Sequence, residues 1–276
     1  MIALRRAAPP VVALALGSTV LERAGADPGG HGRVALLAHF AERPQVTRSF
    51  RALMTELLRA DFAVVVVSSA TCPEPLDWGG LELGPTVVLR KPNVGYDFGS
   101  WAVGLARFPQ IARSETVLLA NDSLLGPFAS IRPLVESLDA TPADVWGVTE
   151  TLQFSRHLQS YAMGFRRGVL GERPLGRFWS DVRHYEDKDL VIHRNEIGLS
   201  QLLQREGFTT DAVFVAGTVV APGDNPTIIG WRRLLELGLP FVKREVARSP
   251  HLAPDGDQIA EEIRRRFGQD VAEWMS

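Results

Sequence analysis

The stretch FAVVVVSSA, residues 62–70, indicates the fold class of this protein. Its core is a run of four valines, without the polar alternation that marks a strand with one solvated face. Such runs are typical of strands that are covered on both faces, as in parallel sheets packed between helices. The stretch therefore predicts an α/β protein with a mostly parallel central sheet flanked by helices.

The sequence on either side alternates between strand and helix patterns, which supports this fold class. Short apolar runs predict further strands at 32–40, 86–90, 116–122 and 143–150, and residues 157–170 a strand that leads into a helix or turn. Apolar spacing of three and four residues predicts helices at 47–60, 99–109 and 195–208.

Length and composition fit a single large domain. The chain has 276 residues, of which 45% are hydrophobic, and this suffices for one sizeable core. We expect one domain over residues 1–250 and a helical tail over 251–276, in which EEIRRR forms a solvated face. The first twenty residues place two arginines before a short apolar run, and we expect a peripheral strand or helix there rather than a cleaved signal.

Charge and cysteine content exclude several classes of protein. The formal net charge is -2 and the pI about 6.3, so no basic excess exists for binding nucleic acid. The single cysteine, Cys72, excludes an internal disulfide and a zinc site built from cysteines. No apolar run approaches the roughly 20 residues of a membrane span. These features predict a cytoplasmic protein.

Polar residues follow the predicted strands at the point where each one ends. The strand ends carry His39, Ser68, Arg90 and the triplet Asn121-Asp122-Ser123. In open parallel sheets, ligands bind at the carboxyl ends of the strands. The sequence therefore predicts one binding crevice along this edge.

The segment RKPNVGYDFGSW, residues 90–101, places Asn93, Gly95 and Asp97 after the third of these strands. Glycine allows positive φ or a close approach of the backbone to a ligand. The segment matches neither the dinucleotide fingerprint nor a P-loop. Two interpretations stay open: part of a binding pocket, or a turn in which Asp97 caps the helix at 99–109.

Two further carboxylates are candidates for chemistry. Asp122, with Asn121 beside it, could hold Mg²⁺ or Mn²⁺, although a turn-forming Asx side chain explains the triplet equally well. Glu196 opens the helix at 195–208, where it could act as a general base or simply complement the helix dipole.

Six ordered blocks of the sequence resemble the rhamnan synthesis protein F family of bacterial polysaccharide biosynthesis. The resemblance spans about residues 90–245, with looser agreement from 34. The blocks are NVGYDFGSW, LLANDSLLGPF, DVWGVTE, HLQSYAMGF, NEIGLSQLLQREGF and NPTIIGWRRLLELGLPFVKRE. The resemblance implies a GT-A-like glycosyltransferase, with a nucleotide-binding half at about 30–125 and an acceptor half at about 126–250.

The resemblance also implies roles for individual residues. The nucleotide would be held at the first two strand ends, by His39 and Ser68, and the nucleotide-sugar by Asn93, Gly95 and Asp97. The Asp-x-Asp motif of such enzymes corresponds here to Asn121-Asp122-Ser123, with Asp122 as the metal ligand. Because this triplet has one acid instead of two, dependence on a metal stays open.

Catalytic roles follow in the same way. Glu196 would be the base, again without the second acid of the family pattern. The departing nucleoside diphosphate requires positive charge, which a metal on Asp122 or the side chains of Arg90, Lys243 and Arg244 would supply. Lys243 and Arg244 could instead be ordinary surface charges. Acceptor hydroxyls would be bound by Gln159, Ser160 and Tyr161. Trp101 and Trp146 could stack on a sugar or belong to the core, and His157 and His193 could be functional or structural.

We therefore expect a glycosyltransferase that moves a deoxyhexose, such as L-rhamnose from dTDP-L-rhamnose, to a growing cell-surface glycan by inversion. The acceptor would be a saccharide, free or lipid-linked, with transient contact with the inner face of the membrane. Two alternatives stay open: a non-catalytic module that binds nucleotide-sugar or glycan within an assembly complex, and an enzyme that hydrolyses or modifies nucleotide-sugars.

Overall fold

A computed structural model describes residues 8–275 as a mixed α/β protein around a large central sheet. In the described part of the chain this sheet has nine strands in the order β1-β4-β3-β2-β5-β9-β7-β10, and β8 pairs with β7 at its end. Its strands are β1 (Val20–Arg23), β2 (Arg33–His39), β3 (Ala63–Ser68), β4 (Val87–Arg90), β5 (Thr116–Asn121), β7 (Val145–Thr151), β8 (His157–Leu158), β9 (Ala162–Arg166) and β10 (Thr210–Phe214). A separate two-stranded sheet pairs β6 (Leu124–Leu125) with β11 (Val242–Lys243).

The centre of the sheet is parallel and contains a change in winding direction. Strands β2, β3, β4 and β5 all run parallel, and β2 lies between β3 and β5. The chain thus adds β3 and β4 on one side of β2 and then β5 on the other. A crevice opens at the carboxyl ends of the strands where such a reversal occurs.

Helices cover both faces of the sheet. The helices are α1 (Val11–Ala15), α2 (Arg48–Arg59), α3 (Tyr96–Arg107), α4 (Arg132–Ala140), α5 (Arg173–Ser180), α6 (Lys188–Val191), α7 (Gly198–Arg205), α8 (Ala216–Val219), α9 (Trp231–Glu236), α10 (Arg244–Arg248), α11 (Ile259–Phe267) and α12 (Ala272–Met275). Between α6 and α7 the chain forms a π-helical turn, Ile192–Ile197. Short 3₁₀ turns occupy Leu16–Ser18, Pro28–Gly30, Pro109–Arg113, Val169–Gly171, Pro250–Leu252 and Gly256–Gln258.

Three apolar clusters hold these layers together. On one face α3 packs against β2 and β3, and Trp101 is fully buried with its indole N–H donating to the carbonyl of Ala120 at 3.2 Å. The other face is covered by α2, whose Phe50 and Met54 lie in a second cluster that also contains Trp146. Both tryptophans are therefore core residues, which decides between the two roles that the sequence left open for them.

The strands predicted from the sequence are confirmed, with small differences at their ends. The structure begins the helix predicted at 99–109 earlier than expected, at Tyr96, because Gly95 adopts a left-handed φ of 82° and turns the chain into the helix. The alternative in which Asp97 caps a helix at 99–109 is therefore wrong: Gly95 is the N-cap and Asp97 lies in the first helical turn.

The main departure from the expected parallel sheet is β9. This strand lies between β5 and β7 and runs antiparallel to both. The sequence indicated a strand in this region but contained no signal for its direction or for its place between two strands that precede it. The segment also separates β5 from β7, so that polar residues 159 and 160 reach the edge where β5 ends.

The C-terminal segment packs against the rest of the protein. Ile263 of α11 and Trp274 of α12 are buried in a third cluster with Trp231 and Leu125. The segment EEIRRR was expected to form a solvated face, but its second glutamate, Glu262, is only 5% exposed. Its carboxylate accepts a 2.6 Å hydrogen bond from Nη2 of Arg265. Its burial is tolerated because arginines neutralise it.

The N-terminal expectation can be compared with the structure only from residue 8 onward, since residues 1–7 lie outside the described part. There the chain forms α1, with Val11 buried, and then the edge strand β1, antiparallel to β4. Over residues 8–275, no helix combines the length and apolar character that crossing a membrane requires.

Candidate functional site

The ends of the parallel strands bring polar residues into one row. The register pairs His39 with Ser68 between β2 and β3, Ser68 with Arg90 between β3 and β4, and Ala38 with Asn121 between β2 and β5. The prediction that the polar strand ends share one edge of the sheet is confirmed. The sequence predicted parallel strands, and parallel strands have their carboxyl ends at the same edge of a sheet. This part of the site could therefore be predicted from the sequence.

A cavity of about 720 Å³ opens beyond this edge, and we call it the central cavity. Carboxylates, amides and cations from distant parts of the chain converge on it. The lining residues that matter for chemistry are Asp97, Asn121, Ser123, Gln159, Ser160, Tyr161, Glu196, Asn225, Lys243, Arg244 and Arg248.

One wall of the central cavity is a hydrogen-bonded chain. The amide of Asn121 donates to Oδ2 of Asp97 at 2.6 Å, and the Oδ1 of Asn121 accepts from the hydroxyl of Ser123 at 2.6 Å. Lys243 Nζ lies 3.4 Å from that hydroxyl. The chain orients Asp97 toward the cavity and ties it to a cation that comes from the C-terminal half.

Asp122 lies next to this chain and is fixed by the backbone. Its Oδ2 accepts from the N–H of Phe40, just past the end of β2, at 2.9 Å. Burial raises the pKa of Asp122, although this bond and the nearby Arg244 act in the opposite direction. Burial also raises the pKa of Asp97 to about 7, and the charge of Asp122 contributes to that rise.

These carboxylates bear on the open question of a metal. Within residues 8–275 no three His, Cys, Asp or Glu side chains come together as a set of metal ligands. Asp97 and Asp122 do oppose each other's ionisation. A divalent cation would relieve this repulsion. With two carboxylates and no third such side chain among the described residues, the pair could hold a cation only together with oxygens of water or of a ligand.

Glu196 lines the central cavity from the π-helical turn. Its Oε2 accepts from the backbone N–H of Ser160 at 3.2 Å and also from the Ser160 hydroxyl, while Oε1 faces Nε2 of His157 at 3.1 Å. Burial alone would raise the pKa of Glu196, but these hydrogen bonds and the imidazole lower it. The side chain is therefore a carboxylate at neutral pH.

Lys243 reaches the central cavity from β11, and Arg244 follows it directly in sequence. This strand pairs antiparallel with β6, which follows Asp122 and Ser123 in sequence. The pairing places the backbone N–H of Arg244 3.0 Å from the carbonyl of Ser123. Burial lowers the pKa of Lys243, against the opposing effect of Glu196 and Asp97. Nε of Arg244 is buried and makes no hydrogen bond in the structure, which leaves this donor available to a ligand.

Gln159 is held in place by three polar neighbours. Its Oε1 accepts from the Thr149 hydroxyl at 2.7 Å, and its Nε2 donates to Asn225 at 3.1 Å and to Thr227 at 3.3 Å. Ser160, by contrast, bonds Glu196. Tyr161 also lines the central cavity, although its side chain is 4% exposed.

Six of the residues expected at the site do not line the central cavity, and one of them is Asp122, whose carboxyl group is held by the backbone N–H of Phe40. Arg90 is the clearest case: its guanidinium donates to Glu22 at 2.8 Å and to the carbonyls of Ala70, Cys72 and Glu74. Gly95 shapes the turn into α3. The others are His39 and Ser68, which bond each other at 3.0 Å, and Asn93, which is exposed.

The pKa of His39 is lowered by its surroundings, which affects what the side chain can contribute to ligand binding. Burial, with smaller contributions from Arg90 and Arg244, lowers the pKa of His39 to about 4. The ring is therefore neutral near pH 7, and it packs against Phe50 with the ring centroids 4.7 Å apart. A neutral, buried imidazole holds the strand end in shape and supplies no charge to an anionic ligand.

Several residues of the site were missed from the sequence. Asn225 and Arg248 line the central cavity, and the buried Lys91 interacts electrostatically with Asp97 and donates from Nζ to the carbonyl of Val94 at 2.7 Å. Burial lowers the pKa of Lys91 to about 8. Of these three residues, Asn225 was the one that the sequence could have indicated, because it begins the NPTIIGW block. No local pattern indicates that Arg248 or Lys91 belongs to the site.

Comparisons with known proteins agree with this picture at the level of the family. Residues 79–272 match the model of the rhamnan synthesis protein F family. The virulence protein VirA of Vibrio anguillarum is 29% identical over 211 residues, covering 64% of this chain and 67% of the relative. The uncharacterized protein y4gN of Sinorhizobium fredii is 26% identical over 188 residues, covering 66% of this chain.

The match spans 49% of the Sinorhizobium protein, so this chain corresponds to about half of that relative. A crystal structure of a mycobacterial protein aligns over 91% of this chain and 83% of its own, with 11% identity and a TM-score of 0.35. The family model, in contrast, matches well over half of the chain, and the protein therefore belongs to the rhamnan synthesis protein F family.

Proposed function

We propose that this protein is a glycosyltransferase with a GT-A-like arrangement that takes part in the synthesis of a polysaccharide. It transfers a sugar from a nucleoside-diphosphate donor to a saccharide acceptor, with inversion at the anomeric carbon. The carrying observation is the central cavity at the strand ends, where the carboxylate of Glu196 shares a pocket with Lys243 and Arg244. Membership in the rhamnan synthesis protein F family supports the link to polysaccharides.

The cationic part of the central cavity suits a departing diphosphate. Four cationic side chains line it: Lys188, Lys243, Arg244 and Arg248. When the bond between the sugar and the diphosphate breaks, its electron pair stays on the leaving oxygen, and nearby cations stabilise that charge. A divalent cation held by Asp97 and Asp122 would add positive charge to the same diphosphate when bound.

Glu196 is the proposed general base. An acceptor hydroxyl attacks the anomeric carbon, and its proton passes to a carboxylate as the new glycosidic bond forms. Glu196 is ionised at neutral pH, and Ser160 and His157 fix its orientation, so its carboxylate is held ready to accept this proton. Gln159 and Asn225 supply amide groups that can hold acceptor hydroxyls in the same cavity.

The donor is proposed to be a deoxyhexose nucleotide such as dTDP-L-rhamnose, an assignment that comes from the family resemblance. The acceptor would be a free or lipid-linked saccharide, and a lipid-linked one would bring the protein to the inner face of a membrane. Two alternatives remain. A non-catalytic module that binds nucleotide-sugar or glycan is one, because the triplet at Asp122 carries one acid instead of two, and an enzyme that hydrolyses or modifies nucleotide-sugars is the other.

The first experiment is calorimetric titration of the purified protein with dTDP, UDP, GDP and dTDP-L-rhamnose, with and without Mn²⁺. We expect selective binding of one nucleotide that weakens at least tenfold in Asp122→Ala. Transfer to a saccharide acceptor is then measured for the wild type and for Glu196→Gln. Loss of the base should lower turnover roughly a hundredfold to ten-thousandfold and leave donor affinity unchanged.

Glu136→Gln is the matched control, since Glu136 is an exposed carboxylate on α4 that pairs with Arg132. Full turnover in Glu196→Gln would remove the proposed base. Donor binding without any transfer or hydrolysis would favour the non-catalytic module, and donor breakdown without acceptor would favour a hydrolase. Absence of nucleotide binding under every condition would overturn the proposal as a whole.

A further inference from the structure

A second cavity of about 720 Å³, which we call the arginine cleft, lies among α5, the loop after it, the π-helical turn and α7. None of its lining residues also lines the central cavity. Its lining includes Phe178, Tyr185 and Asn195 together with the arginines 173, 177, 183, 194 and 205. The proposed glycosyl transfer makes no use of this cleft.

The charge of the arginine cleft is strongly unbalanced. Five arginines line it against two carboxylates, Asp181 and Glu206, although the chain as a whole has a net charge of -2. Arg183 donates to Asp181 at 2.6 Å, and Arg205 donates to Glu206 at 3.0 Å. The charge of both carboxylates is thereby neutralised within the cleft.

The remaining three arginines, at positions 173, 177 and 194, have no such partner. Within residues 8–275 the structure gives their side chains no hydrogen bond, ion pair or ring contact. All three are exposed. Three guanidinium groups around one concave surface repel one another, and an anionic ligand would relieve that repulsion.

A buried amide in the same cleft points to a ligand independently of the charges. Asn195 is 4% exposed, and its Nδ2 is buried without a hydrogen-bond partner. A buried donor left unsatisfied costs about 1–3 kcal/mol, so such groups are rare in folded proteins. An acceptor oxygen of a bound ligand would satisfy it.

We propose that the arginine cleft binds the diphosphate group of a ligand. Diphosphate presents several acceptor oxygens and more than one negative charge, which matches three unpaired guanidinium groups better than a single carboxylate does. The cavity is also larger than the diphosphate itself, which leaves room for an attached group, and the Tyr185 side chain lines that space. The attached group is either soluble, as in a nucleotide, or a lipid.

The site is independent of the proposed transferase activity but adjoins its machinery in sequence. Asn195 immediately precedes Glu196 in the π-helical turn, and π-helical turns occur frequently at functional sites. A ligand in the arginine cleft therefore contacts the same turn that holds the proposed base. Binding can be measured without any assay of turnover.

The test is calorimetric titration with inorganic pyrophosphate in an Arg244→Gln background, which weakens phosphate binding in the central cavity. We expect saturable binding that falls at least tenfold when Arg177→Gln and Arg194→Gln are added, because both side chains are exposed and unpaired. The control adds Arg132→Gln and Arg264→Gln, two exposed arginines on α4 and α11. This pair removes the same charge and should leave the affinity unchanged.

Sedimentation with phosphatidylcholine vesicles, with and without a polyprenyl diphosphate, distinguishes the two sources of the ligand. If the protein binds the diphosphate-containing vesicles and loses this binding with Arg177→Gln and Arg194→Gln, the ligand is a lipid diphosphate. If the protein binds pyrophosphate but not these vesicles, the ligand is soluble. The proposal is overturned if neither probe binds, or if the control variants weaken binding as much as the cleft variants. It is also overturned if Arg244→Gln alone abolishes all binding of both probes.

Discussion

Nε2 of His157 lies 3.1 Å from Oε1 of Glu196, and Nδ1 of the same ring lies 2.8 Å from the carbonyl oxygen of Ser155. Because a carbonyl oxygen only accepts hydrogen bonds, Nδ1 carries a hydrogen. A contact between Nε2 and the carboxyl group then requires one further proton between them. His157 and Ser160 both lower the pKa of Glu196, so the carboxyl group is ionised in this contact.

This pair predicts a change in the pH profile of the transfer reaction. His157→Gln keeps a hydrogen-bond donor but removes the imidazole, which lowers the pKa of Glu196. That pKa should rise, and the acidic limb of kcat/KM should move up by about one pH unit. The measurement is kcat/KM against pH for both proteins.

The control for this shift is His193→Gln, since His193 is exposed beside Phe154 and lies in the same π-helical turn as Glu196. It should leave the acidic limb in place. An unchanged limb in His157→Gln would mean that the imidazole does not set the ionisation of the base.

Asp97 predicts an unusual dependence of stability on pH. Its folded pKa of about 7 lies above the usual 3.8, so the unfolded chain releases this proton more readily. The free energy of unfolding should therefore fall as pH rises from 3.8 through about 7, whereas an ordinary stabilised carboxylate has the opposite effect. Asp97→Asn removes the group that titrates. The free energy of unfolding of the variant, minus that of the wild type, should therefore be larger at about pH 8.5 than at about pH 5, by on the order of 2 kcal/mol.

Urea unfolding at the two pH values measures this difference. Asp139→Asn is the control, because Asp139 is a half-exposed carboxylate of α4 whose pairing with Arg33 at 3.1 Å does not involve the central cavity. A constant difference between Asp97→Asn and the wild type across the pH range would contradict a raised pKa at Asp97.

Arg244 and Arg90 should differ in what their loss affects, although both were expected at the diphosphate. Arg244→Gln removes a cation that lines the central cavity and should weaken donor binding about tenfold with little loss of stability. Arg90→Gln leaves Glu22 unpaired, with both side chains largely buried, and should cost about 3 kcal/mol of stability.

Calorimetry with the nucleotide and urea unfolding together separate the two effects. Donor affinity of the folded Arg90→Gln protein should match that of the wild type. The reverse pattern, with affinity lost in Arg90→Gln and kept in Arg244→Gln, would place the diphosphate away from the central cavity.

Gly95 should tolerate a side chain poorly. A Cβ at this position would lie 2.5 Å from Cγ2 of Val11, and the φ of 82° is in the left-handed region. Gly95→Ala should therefore lower the free energy of unfolding by on the order of 2–4 kcal/mol, from steric overlap and backbone strain together.

The matched variant is Gly223→Ala, where φ is 93° but no atom lies within 4 Å of the added Cβ. It reports the backbone strain alone and should cost about 1 kcal/mol. Equal costs in the two variants would mean that the contact with Val11 does not constrain the turn into α3.

The sequence was informative where local pattern determines structure. Runs such as residues 62–70 predict buried parallel strands, and parallel strands place their carboxyl ends together, so the order of residues alone was enough to name Asn121 and Asp122 as candidates. The same reasoning could not separate Arg90 from Arg244. Both are arginines beside a short strand, and only their partners in space differ.

By itself the sequence determined the α/β class, the parallel strands and the polar edge, because each depends on neighbouring residues. Only the tertiary structure decided that β9 enters the sheet between β5 and β7, that Lys243 reaches a serine 120 residues away, and that Glu196 meets an imidazole 39 residues away. Such contacts depend on how the whole chain packs. No local pattern encodes which distant side chain will occupy a given place.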